Sequence, residues 1–152
     1  MDGLSFEMEG WAVYMQTLEL MYKGLLEDKH LLQSLKDSKF DLGISEYFDL
    51  GSLGIFEILN INTTICAAAL GWIGAHYDIS GMPQFHSFIP GYATTFGDKM
   101  TFRGRLINIK AYYQMRSQDA YWTGRMEVLF RKSYPEMEDF SVLADVIMLP
   151  SL

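Results

Sequence analysis

Apolar residues recur at helical spacing near both ends of this chain and gather in short solid runs in its middle. That change of period divides it into elements. Between Trp11 and Leu26, the residues Val13, Leu18, Leu20, Met21 and Leu25 form a broad apolar side of one helix. A shorter helix is expected from about Glu27 to Lys36, with Leu31, Leu32 and Leu35 as its buried stripe. Asp37-Ser38-Lys39 then turns the chain into an apolar strand, Phe40–Ser45. A helix from Leu50 to Leu59 follows, with Asp49 as its N-cap and Leu53, Ile55, Phe56 and Leu59 facing a sheet. Asn60-Ile61-Asn62 makes a turn, and Thr63–Ala69 makes a second strand. Strand, helix and strand joined by a few residues is the βαβ unit of a parallel sheet.

Periodicity weakens over Gly81–Asp98, a long loop with Pro83 and Pro90, and loops of this length are often functional. A long helix is expected from about Met100 to Lys132. Its wide apolar face is Phe102, Leu106, Ile109, Tyr113, Tyr121, Met126, Leu129 and Phe130, and Tyr134-Pro135 ends it. Val142–Met148 reads as a final strand. Pro150-Ser151-Leu152 stops directly after it, so the chain is expected to be one partial domain, 1–152, cut from something larger. Alone it is expected to fold poorly, because its sheet would expose unpaired edges.

The composition narrows the function. With 12 basic against 19 acidic residues the net charge is −7, which argues against a nucleic-acid partner. Aromatic residues make up 14% of the chain, which argues against disorder. A lone cysteine, Cys66, excludes an internal disulfide and a cysteine-rich zinc site, and its apolar surroundings suit a small core residue. The acidic first residues do not read as a signal peptide. The longest apolar run, Ile65–Ala75, is too short to span a bilayer and is interrupted by Gly71 and Gly74.

Candidate chemistry centres on Glu46, which the first strand delivers at its carboxyl end. In open α/β sheets, ligands bind there. The residues alone leave a second role open, in which Glu46 stabilises the start of the following helix by its charge. His76 and His86 flank the loop without the carboxylate partners that a metal site needs, so no metal is expected. His30, among Glu27, Asp28 and Lys29, reads as solvated. Gly51 and Gly54 lack the lysine and spacing of a phosphate loop, so no cofactor site is expected. Asn62-Thr63-Thr64 is a glycosylation sequon at the mouth of a strand, where its use is not expected. Tyr112, Tyr113, Tyr121 and Trp122 on the long helix fit a core, an apolar pocket or a membrane surface.

Four segments in register carry a resemblance. They are Phe40-Asp41 leading to Glu46; the helix end Phe56-Glu57-Ile58-Leu59-Asn60-Ile61; the loop around Pro90; and Asp98-Lys99-Met100-Thr101-Phe102, with Arg105 and Asn108 behind it. Together they resemble the later part of the acceptor-binding half of the animal UDP-glucuronosyltransferases and UDP-glycosyltransferases. The resemblance implies a Rossmann-like parallel sheet flanked by helices, part of the N-terminal domain of a two-domain GT-B glycosyltransferase. It implies transfer of glucuronate or another hexose, with inversion, from UDP-glucuronate or UDP-glucose to a hydroxyl of a small lipophilic acceptor. Glu46 matches the acid that orients the family's base histidine. The family usually has aspartate there, and the extra methylene of glutamate moves the carboxylate by about 1 Å or more. Tyr47, His86, Phe88 and Tyr92 are expected to touch the acceptor. The base histidine and the UDP-sugar domain are not found in this chain, so UDP-sugar is a co-substrate held elsewhere and the chain alone is expected to be inactive. The resemblance further implies the endoplasmic reticulum membrane, contact with a membrane surface, and oligomers with relatives. The competing expectation is a non-catalytic module that binds lipophilic ligands or modulates full-length relatives.

Overall fold

The computed structural model of the chain describes residues 3–46, 50–67, 77, 82–91 and 94–148. Tyr47, Asp49, His76 and Tyr92, all named above, lie outside the described residues. The elements are α1 (Gly3–Glu27), α2 (Lys29–Asp37), β1 (Gly43–Glu46), α3 (Gly51–Ile58), β2 (Thr64–Ala67), α4 (Phe102–Ser133) and α5 (Phe140–Met148). β1 and β2 pair in parallel, with Gly43 opposite Thr64 and Glu46 opposite Ala67. The expected βαβ unit is therefore present, with the first strand starting at Gly43 rather than Phe40. The whole is a mixed α/β structure with a small parallel sheet, consistent with part of a GT-B domain.

Local chemistry fixes the helix ends. The Asp28 carboxylate accepts from the Leu31 backbone N–H at 2.9 Å and starts α2. Thr101, in extended backbone, does the same for α4 by accepting from Gly104 N–H at 3.1 Å. The helix α3 starts after Leu50, which provides no side-chain cap.

Helices, rather than the sheet, enclose most of the core. Tyr22 and Leu26 of α1, Leu32 of α2, Ile55 of α3 with Leu59 capping its end, Met126 and Phe130 of α4, and Phe140 of α5 form one buried cluster. Phe130 is at its centre, with its ring 5.6 Å from that of Tyr22 and 5.4 Å, edge-on, from that of Phe140. Gly54 admits this packing, since a Cβ there would lie 2.7 Å from the Phe130 ring. Of the four α3 residues expected to face the sheet, Ile55 and Leu59 instead join the interhelical core. Phe56 covers β1, where it lies so close to Gly43 that a Cβ would come within 2.9 Å of its ring.

Three expectations need correction. Val142–Met148 is not a strand: it lies within α5. A short apolar run fits either element, and here Phe140 and Ala144, one helical turn apart, are both fully buried. The α5 amino end is satisfied from α4, where the Glu127 carboxylate accepts from Phe140 N–H at 2.9 Å. The buried line of α1 is Met15, Tyr22 and Leu26, with Leu18 and Leu25 beside it, while Val13, Met21 and Leu20 (69% exposed) face outward. The face is chosen by packing on α4, where Arg125 grips the Glu19 carboxylate through Nε at 3.0 Å and Nη2 at 2.8 Å. Finally, only the carboxyl part of α4 uses the expected apolar face. Met126 and Phe130 are buried, but Phe102 is 78% exposed, and Leu106, Ile109, Tyr113 and Tyr121 are also exposed.

Cys66 sits half-buried on β2, with its Sγ 3.9 Å from Ser45 Oγ across the strand pair. Burial pushes its thiol pKa up, and the Ser45 hydrogen bond only partly opposes this. The thiol therefore stays protonated near neutral pH. Iodoacetamide is expected to alkylate Cys66 in the folded protein on the order of tenfold more slowly than in urea. Equal rates by mass spectrometry would contradict this packing.

Candidate functional site

Parallel pairing puts Glu46 at the carboxyl end of β1, beside Ala67 at the end of β2. Its side chain is exposed, and it makes no hydrogen bond or ion pair among the described residues. A solvent-facing carboxylate at this strand end is available to a cationic or N–H partner from outside these elements.

The second part of the site is the loop, described over 82–91 and again from residue 94. It turns at Phe85, whose carbonyl accepts from Phe88 N–H at 3.2 Å and Ile89 N–H at 2.9 Å. Phe85 and Phe88 stack nearly parallel at 5.5 Å, with both rings about half exposed (51% and 52%). The expected acceptor residue Phe88 is thus presented outward with a ring partner that the sequence did not single out.

Asn108 of α4 is the polar centre beneath this loop, and it is 1% exposed. Its Oδ1 accepts from Gly91 N–H at 2.7 Å and from the Thr94 hydroxyl at 3.4 Å. Its Nδ2 donates to the carbonyls of His86 and Ile89, both at 2.9 Å. The Thr94 hydroxyl also donates to the Gly91 carbonyl at 2.8 Å. One buried amide thus uses both ends on three backbone groups of the loop. The α4 surface it belongs to is Gly104, Asn108 and Ala111, small and polar at helical spacing, all buried.

His86 is half-buried, and its ring centroid lies 4.0 Å from that of Tyr112. The Tyr112 hydroxyl accepts from Arg116 Nη1 at 3.3 Å. Of the four helix aromatics weighed for a pocket, Tyr112 meets the loop, whereas Trp122 is buried lower on α4 with the Arg125 guanidinium over it at 5.4 Å. The structure therefore joins His86, Phe88, Asn108 and Tyr112 through one loop and one helix. Glu46 stands on a separate element, with no hydrogen bond to them among the described residues. No group of three or more potential metal ligands occurs among the described residues.

Comparison with known proteins bears on the family of the chain. Residues 3–149 match the model of the family described as UDP-glucoronosyl and UDP-glucosyl transferase. The chain is 29% identical over 102 residues to UDP-glucuronosyltransferase 1A8 of Rattus norvegicus, covering 66% of this chain and 19% of that protein. It is 30% identical over 97 residues to UDP-glucuronosyltransferase 1A7 of Mus musculus, covering 62% and 18% respectively. It is 32% identical over 103 residues to UDP-glucuronosyltransferase 3A1 of Bos taurus, covering 64% and 19%. The chain thus spans about a fifth of the length of these relatives. No solved structure matches. With the family model matched along almost the whole sequence, the chain belongs to the UDP-glucoronosyl and UDP-glucosyl transferase family.

Proposed function

We propose that this chain forms the acceptor side of an enzyme that transfers glucuronate or another hexose from a UDP-sugar to a hydroxyl of a small lipophilic molecule. The observation that carries this reading is the exposed Glu46 carboxylate at the carboxyl end of a parallel strand, in a chain matched to the family over residues 3–149. In this mechanism a histidine from outside these residues takes the proton of the acceptor hydroxyl. The hydroxyl oxygen attacks the anomeric carbon, the bond to UDP breaks, and UDP leaves with the bonding electrons. Glu46 holds the imidazole in position and stabilises the imidazolium that forms.

The half-exposed Phe85–Phe88 pair and the His86–Tyr112 pair offer apolar ring surface to the acceptor. Tyr47 and Tyr92 belong to the same proposal through their places beside Glu46 and in the loop. UDP-glucuronate or UDP-glucose is the donor, bound by polypeptide beyond these elements. Residence at the endoplasmic reticulum membrane is part of the same reading. Among the described residues no helix is long and apolar enough to cross a membrane.

The test is an assay of the polypeptide at the length at which it is made, with each UDP-sugar and a panel of lipophilic phenols and alcohols. UDP release should match glycoside formation one for one, and the new linkage should have the inverted configuration. Retention of configuration, or UDP release with water as the only acceptor, would overturn the proposal.

A further inference from the structure

We infer that Asn108 is a positioning residue for the acceptor, acting through the loop it holds; the inference rests on the proposed acceptor-side reading. A loop without regular structure must find partners for its backbone groups. Here three of them, Gly91 N–H and the carbonyls of His86 and Ile89, are paired by a single side chain at 2.7–2.9 Å. The geometry needs an amide. Its oxygen must accept while its nitrogen donates twice, which neither a carboxylate nor an apolar side chain of the same shape achieves.

Position matters as much as pairing. The clamp grips the loop on both sides of Pro90, and it does so at the residue whose ring contacts Tyr112 and directly after the exposed Phe88. His86 is thereby held at two points, its carbonyl on Asn108 and its ring tilted against that of Tyr112. Gly91 fits the clamp closely, since a Cβ there would stand 3.2 Å from Asn108 Oδ1. The Thr94 hydroxyl closes the arrangement by sharing its one proton between Gly91 O at 2.8 Å and, more weakly, Asn108 Oδ1 at 3.4 Å. Asn108 itself is buried and does not face the acceptor. Its effect is to spare acceptor binding the cost of ordering the loop.

The experiment compares the wild type, Asn108→Asp and Thr94→Val in the polypeptide at its natural length, with hydrogen exchange and steady-state kinetics on the same samples. Asn108→Asp keeps the shape but loses both donations. Thr94→Val leaves Asn108 and its three backbone bonds in place, so it retains the fold if Asn108→Asp does not. The expected result is faster exchange in peptides covering 82–91. The acceptor KM should rise on the order of tenfold for Asn108→Asp and about threefold for Thr94→Val. kcat and the KM for UDP-sugar should stay within about twofold, because the clamp touches neither donor nor reacting atoms. Unchanged exchange in 82–91 in both variants overturns the clamp. Faster exchange with an unchanged acceptor KM overturns its role in acceptor binding. A wild type that forms no glycoside fails the acceptor-side reading itself, whatever the exchange shows.

Discussion

Replacing Glu46 by alanine is expected to lower kcat for sugar transfer by roughly 10²–10⁴-fold, the range over which a correctly held base contributes to catalysis. The acceptor KM should change little, because in the proposed mechanism the carboxylate acts on the base and not on the acceptor. Glu46→Gln should lose nearly as much. It keeps the shape at the end of β1 but not the charge that stabilises an imidazolium. The defect should shrink for an acidic acceptor such as a nitrophenol, which needs less help in losing its proton, and stay large for an aliphatic alcohol. Initial rates of UDP release with the two acceptors check this. A defect of equal size with both would mean that Glu46 does not work through the base.

Replacing Phe130 by alanine should produce the largest loss of stability, about 3–5 kcal/mol. The ring is fully buried, meets Tyr22 and Phe140, and fills the space left by Gly54. Such a loss is a large share of the roughly 5–15 kcal/mol that holds a typical domain together. Gly54→Val should be damaging from the opposite direction, because its Cβ would overlap the same ring at 2.7 Å. Limited proteolysis at increasing urea, followed with an antibody to the 82–91 loop, should show both variants cut at lower urea than the wild type. Wild-type resistance in Phe130→Ala would contradict the central place given to this ring.

The order of elements was legible in the sequence because run length and punctuation carry it. The two short apolar runs around Leu50–Leu59 gave the βαβ unit, and Tyr134-Pro135 marked the end of the long helix. The faces were not legible. α1 carries apolar residues on most of its circumference, so periodicity alone could not separate Met15, Tyr22 and Leu26 from Val13 and Leu20. The run at Val142–Met148 was too short for its period to distinguish strand from helix, and the deciding contact, Glu127 on Phe140 N–H, comes from another element.

The site divided in the same way. Glu46 followed from its place at the end of a strand, and the loop from its length and prolines. Asn108 stood in the family-like segment, but an asparagine within a helix gives no sign of whether it is buried. The available signal was the small and polar spacing Gly104, Asn108, Ala111 within a helix whose apolar residues at Phe102, Leu106 and Ile109 point outward. The partners of that stripe, His86, Ile89 and Gly91, lie 17 to 22 residues away in sequence. No local pattern joins them.

Photolabelling of the polypeptide at its natural length with a lipophilic phenol carrying an aryl azide, in the presence of UDP and followed by peptide mapping, locates the acceptor site. Label should be found in the peptide covering 82–91 and in the one ending β1 at Glu46, and an excess of unlabelled phenol should remove it from both. Label confined to other segments, or label at these peptides that the phenol does not displace, would contradict an acceptor site built from this strand end and this loop.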